Sequence, residues 1–159
     1  MWGKLVAVVL LAATGSAWAG DHDVLVQKVW LRESVPGQDS ASLQLNLTST
    51  KPATLVAVET PLAAAVKIQR LSAGRGKLHA REVGSLRLPR NRAVVFGDRG
   101  VALMLTGLKR PLHVGDKIPV TLTVEFAKRQ LRKVETEAEV RPLELSYMHY
   151  SGREVHDHR

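Results

Sequence analysis

The clearest periodicity in the chain is ASLQLNLTS at 41–49. Leu43, Leu45 and Leu47 alternate with Gln44, Asn46 and Thr48. In an extended backbone this sends the leucines to one face and the amides and hydroxyl to the other. Short runs of the same character follow one another: 23–32, 53–60, 64–71, 77–83, 93–97, 101–108, 117–127 and 130–140. Turn signals separate them at Pro36-Gly37, Lys51-Pro52, Pro89, Gly97 and Gly115-Asp116. Gly74-Arg75-Gly76 joins two such runs and opens no helix, so it reads as a hairpin turn and not as a phosphate loop. No stretch after the first twenty residues carries the 3.6-residue period of a long amphipathic helix. About nine short strands at this spacing predict an all-β fold, a single antiparallel Greek-key β-sandwich with no internal repeat and no linker.

The two ends of the chain break the pattern. Lys4 precedes an apolar run at Leu5–Ala13, and Ala17-Trp18-Ala19 has the small-x-small form of a cleavage site. A run of this length is too short to span a bilayer. Residues 1–19 therefore read as a secretory signal peptide, with an uncut membrane anchor as the alternative. The β-sandwich is expected over 20–140, and 141–159 as a polar tail bearing histidines. An exported, periplasmic protein follows from the leader.

Composition narrows the chemistry. The 159 residues contain 23 Lys and Arg against 15 Asp and Glu, a net charge of +8. In an exported chain that favours an anionic membrane surface, an acidic partner or a plain solvated surface over nucleic acid, whose binding motifs are missing. The cysteine count is 0. Disulfides, thiolate ligands, a thiol nucleophile and a lipid anchor built on cysteine are excluded within this sequence. Nothing resembles a Ser-His-Asp arrangement or a readable carboxylate pair, so the expectation is a non-enzyme, and a monomer.

Trp30-Leu31-Arg32 after the first strand, Pro36-Gly37, the segment LQLNLTSTKPATLVAVETPLAAAVKIQRL and above all GVALMLTGLKRPLHVGDKIPVTLTVEF occur in a recognisable order. Over roughly residues 24 to 140 the chain resembles the PCu(A)C family of periplasmic copper chaperones. The resemblance implies a cupredoxin-like sandwich, Cu(I) as cargo and a role in supplying copper to cytochrome oxidase assembly. The family's ligand pattern is H-x10-M-x21-H-x-M. The last His and Met are two apart on a strand and so share a face. Neutral imidazoles and thioethers suit soft, labile Cu(I). In this sequence the four positions fall without a gap on Gln69, Ala80, Ala102 and Met104. Only Met104 keeps a ligand type, and amid VALML it also reads as a core residue. His79 is next to Ala80 but faces the other way in a regular strand. His113 falls in a turn.

Two further clusters could hold metal. The tail carries Met148, His149, His156 and His158, and such tracts bind Cu(II), Zn(II) or Ni(II) without a fold. Cleavage after Ala19 would expose Gly20-Asp21-His22, whose amine, amides and third-position imidazole can form a square-planar nitrogen site. The expected function is thus a copper-binding, chaperone-like protein, Cu(I) or Cu(II), with ligands drawn from Met104, His22, Met148, His149, His156 and His158. The alternative is a metal-free binding or assembly module on the same fold. A third reading is a basic protein held at an anionic membrane surface.

Overall fold

The computed structural model describes residues 22–143. Ten strands occupy that stretch: β1 (Val24–Arg32), β2 (Ser40–Ser49), β3 (Ala53–Glu59), β4 (Ala63–Gly74), β5 (Lys77–Val83), β6 (Leu86–Leu88), β7 (Val94–Phe96), β8 (Val101–Leu108), β9 (Lys117–Phe126) and β10 (Gln130–Arg141). A single 3-10 turn at Ala127–Arg129 joins the last two. The expected all-β fold is present. The one strand not foreseen is β6, whose LRL is too short to show alternation.

The strands form one open sheet in the order β5-β4-β8-β7-β2-β1-β10-β9-β3-β6, folded over its own core. Most neighbours are antiparallel, but β1 lies parallel to β10, with Trp30 opposite Glu139 and Arg32 opposite Arg141. Alternation builds the core. Leu43, Leu45 and Leu47 of β2 are buried, as are Ile118, Val120, Leu122 and Val124 of β9 and Leu103 and Leu105 of β8. Each fully buried side chain of this size contributes about 1.5–3 kcal/mol relative to exposure.

One irregularity sets which way β1 faces. Its register with β2 shifts between Gln27 and Trp30, and Lys28 takes a φ of 52°. The extra residue reverses the parity of the strand beyond it. Leu31 thereby enters the core opposite Leu43, and Trp30 turns outward. There the guanidinium groups of Arg32 and Arg141 stand 5.7 Å and 5.2 Å from its ring.

The strand directions define two ends of the sandwich. At the first lie the turn from β2 to β3, the tip of the β4–β5 hairpin, the segment between β6 and β7, and the turn from β9 to β10. The chain enters the described structure at His22 on this end, where Thr50 N–H donates to the Asp23 carbonyl. It leaves at Leu143 on the other end, where Leu143 N–H donates to Glu33 Oε1 at 2.9 Å.

Candidate functional site

The four family positions do converge. Gln69 of β4 lies directly opposite Ala102 of β8, and Lys67 opposite Met104. On its other edge β4 sets Gln69 against Glu82 and Leu71 against Ala80 of β5. Met104 is also opposite Ser42 of β2. Partners directly across a sheet point to the same side, so these residues share one face of β5, β4, β8 and β2. It is the outer face: Ile68, Leu103 and Leu105, which alternate with them, belong to the core cluster. Ala102 is only 3% exposed yet lies outside that cluster. Its methyl stands directly across the ladder from the longer Gln69.

Met104 is therefore not a core residue, as its apolar surroundings in sequence had implied. It is half-buried and lines a surface groove of about 270 Å³ together with Ser42, Gln44, Arg32, Glu33 and Leu143. The groove mixes a thioether with hydroxyls, an amide and charged groups.

The face does not fit copper in the manner of the family pattern. Its soft donors reduce to one thioether. Gln69 offers a hard carboxamide, and Ala80 and Ala102 offer nothing. The one carboxylate among the residues aligned with these positions, Glu82, is held by Lys67 at 3.0 Å. A lysine paired across the ladder from Met104 also raises the electrostatic cost of a cation there. Among the described residues there is no group of three or more His, Cys, Asp or Glu that could hold a metal ion. The Lys67–Glu82 pair was not singled out from sequence, because only the β4–β5 register brings its halves together.

The remaining histidines are dispersed. Pairing of β4 with β5 runs unbroken from Ile68–Val83 to Gly74–Lys77. His79 accordingly points away from Ala80, on the side of Ser72, with its ring beside Gly74. His113 is exposed in a turn closed by its own N–H donating to Asp116 Oδ2 at 3.1 Å. The Arg110 guanidinium, 2.8 Å from the same oxygen, and then this N–H hold the Asp116 carboxyl below the usual aspartate range. His22 is exposed just ahead of β1. Gly20, Asp21, Met148, His149, His156 and His158 lie outside the described residues.

The parallel β1–β10 pair sets the two ends of the described chain at opposite poles. The nine residues of β1 span about 30 Å at roughly 3.3 Å each. His22 is at one end of that span and Leu143 at the other.

Fold and outer face together define a PCuAC-type β-sandwich in which only Met104, of the four aligned positions, carries a soft donor. The chain spans 76% of itself and 95% of the apo PCuAC domain from PmoF1, with a TM-score of 0.62 and 22% identity. Against Cu(I)-loaded DR1885 from Deinococcus radiodurans it covers 82% of itself and 85% of that chain, with a TM-score of 0.59 and 24% identity. Residues 24–138 match the LpqE-like family, described as putative lipoprotein LpqE-like, and the chain belongs to that family. It is 28% identical over 128 residues to the putative lipoprotein Lxx21020 of Leifsonia xyli subsp. xyli, covering 74% of this chain and 77% of that one.

Proposed function

We propose that this is an extracytoplasmic, copper-binding, chaperone-like protein that has moved its metal from the sheet face to the C-terminal side of the Met104 groove. One observation carries the reading. Leu143, where the described chain ends, itself lines the groove that holds Met104. Met148 and His149 follow within six residues, and an extended chain covers up to about 3.3–3.6 Å per residue, so both are within reach of Met104. Two thioethers and an imidazole form a soft, neutral set suited to Cu(I). His156 and His158, and separately His22 with a freed Gly20 amine, supply nitrogen sites that suit Cu(II). The solved domains it resembles include copper-bound forms, which supports copper over other metals. The leader-like residues 1–19 and the lipoprotein description of the family support export to the periplasm. Copper supply to respiratory oxidase assembly is the corresponding partner reading.

The test is titration of the chain from Gly20 to Arg159 with Cu(I) under reducing conditions and with Cu(II) under oxidising ones. Met104→Leu is expected to weaken Cu(I) uptake and spare Cu(II). Replacing His22, His149, His156 and His158 by Ala should abolish Cu(II) uptake. Cu(I) binding unchanged in Met104→Leu would remove the groove from the site. The absence of either ion from the unaltered protein would favour the second reading, a metal-free binding or assembly module. The Lys67–Glu82 pair across the old site is the observation behind that alternative.

A further inference from the structure

Charge is distributed very unevenly between the two ends of the sandwich. At the end where the chain enters, the β2–β3 turn carries Lys51 and the β4–β5 tip carries Arg75. The segment between β6 and β7 carries Arg90 and Arg92, and the β9–β10 turn carries Lys128 and Arg129. None of these connections contains an acidic residue. The connections at the other end hold Glu33, Asp39 and Asp116 against Lys109 and Arg110. The basicity seen in the composition is thus concentrated at one pole.

All but one of these cations stand outside the ion pairs of the fold. Lys51 bonds Asp23 at 2.9 Å. Arg75, Arg90, Arg92, Lys128 and Arg129 are exposed and make no ion pair among the described residues. Several are kept at a conformational cost. Arg75, Lys128 and Arg129 have φ values of 49°, 59° and 55°, in the left-handed region that glycine and asparagine occupy more readily. At the hairpin tip, Arg75 stands in a two-residue turn where asparagine or glycine would normally serve. Long basic side chains at three such positions are hard to explain by turn geometry.

Apolar side chains protrude among them. Leu78, just past the hairpin tip, is 63% exposed, and Leu131, just past the 3-10 turn, is 60% exposed. Leu25, at the start of β1, is 53% exposed. They stand singly, on separate strands, with cations beside them. A peptide partner would be met by a groove or a contiguous patch. Isolated leucines in a field of mostly unpaired cations match a surface with many mobile negative charges and an apolar layer beneath. The point of entry agrees: His22 is at this end, so a membrane-held segment preceding it would keep this pole against the bilayer.

We infer that the pole formed by the β2–β3, β4–β5, β6–β7 and β9–β10 connections docks on an anionic phospholipid surface. The Met104 groove, with Leu143 on its lip, opens towards the other pole and stays accessible to a partner in solution. The docking does not depend on copper.

The test uses metal-free chain from Gly20 to Arg159, which contains all ten strands and the whole core. It is co-sedimented with vesicles of phosphatidylcholine containing phosphatidylglycerol, and with phosphatidylcholine alone. Binding is expected only to the anionic vesicles, and it should fall as salt rises. Arg75→Asn with Arg92→Gln and Lys128→Asn removes three cations with residues the backbone accepts. At about fivefold per basic residue, partitioning should drop roughly a hundredfold. Leu78→Ser with Leu131→Ser should weaken binding at unchanged net charge. Lys67→Gln, Lys109→Gln and Lys117→Gln together remove the same charge elsewhere and should cost far less. An equal loss in this control would overturn the pole as the docking site. So would a failure of the unaltered protein to bind anionic vesicles at low salt. Capture by polyglutamate without vesicle binding would replace lipid with an acidic protein.

Discussion

Restoring the missing donors tests the reading of the outer face directly. Gln69→His, Ala80→Met and Ala102→His, beside the native Met104, rebuild the family's donor set in a background lacking His22, Met148, His149, His156 and His158. Gln69 and Ala102 are directly opposed, so the two imidazoles start from β-carbons about 5 Å apart. Met104 is two residues along the same strand, about 7 Å away, within reach of a flexible thioether. Two penalties oppose the ion. A histidine at Ala102, which is 3% exposed, overpacks its surroundings for about 1–3 kcal/mol. The Lys67 charge at roughly 7 Å repels a monovalent cation by about 0.6–2.4 kcal/mol, between bulk water and a partly screened surface. Glu82, 3.0 Å from Lys67, offsets most of the second term. The triple variant is therefore expected to take up one equivalent of Cu(I) in competition with a chromophoric Cu(I) chelator. Adding Glu82→Gln uncovers Lys67 and should weaken the affinity about tenfold. The parent background should take up none. A folded triple variant without Cu(I) uptake would refute the claim that these four positions converge on one face.

Two further outcomes follow from backbone and charge. Gly107 has a φ of +66°, and a Cβ there would stand 2.8 Å from Ala64 Cβ, so Gly107→Ala should lower urea stability by about 1–3 kcal/mol without altering metal uptake. Asp23 accepts hydrogen bonds from Lys51 and Thr50, and these lower its carboxyl from the ordinary 3.8. A depressed carboxyl stabilises the fold above its unfolded value and ceases to do so as pH falls through the lowered one. The drop in thermal midpoint between pH 6 and pH 3 should therefore shrink in Asp23→Asn.

Much of this architecture is visible in sequence because alternation reports burial. Leu43, Leu45 and Leu47 predicted β2 and its inward face, and both stand. The strands expected at 77–83 and 101–108 have those bounds in the structure. Alternation fails where it has nothing to count, as in the three residues of β6. It is also silent on partners. That Lys67 meets Glu82, that Met104 borders a groove and that Leu143 closes it depend on register between distant strands. VALML makes Met104 look like a core residue because a buried alanine on the outer face extends the apolar run. That Gln69, Ala80 and Ala102 stand where the family pattern has donors followed from the resemblance, not from alternation. The polar concentration of charge was not legible, since Lys51, Arg75, Arg92 and Lys128 are scattered along the chain and are gathered only by the turns.

The parallel seam between β1 and β10 also governs when the molecule can form. Glu33 and Leu143, joined by a hydrogen bond beside that seam, are 110 residues apart. The first strand keeps one edge open until the last strand arrives, and pairings this distant form slowly because the chain entropy is lost before any contact repays it. A chain that emerged from its N-terminus onward would therefore leave this seam open until β10 had appeared. Closure of the seam then becomes the last pairing that joins the two halves of the sheet.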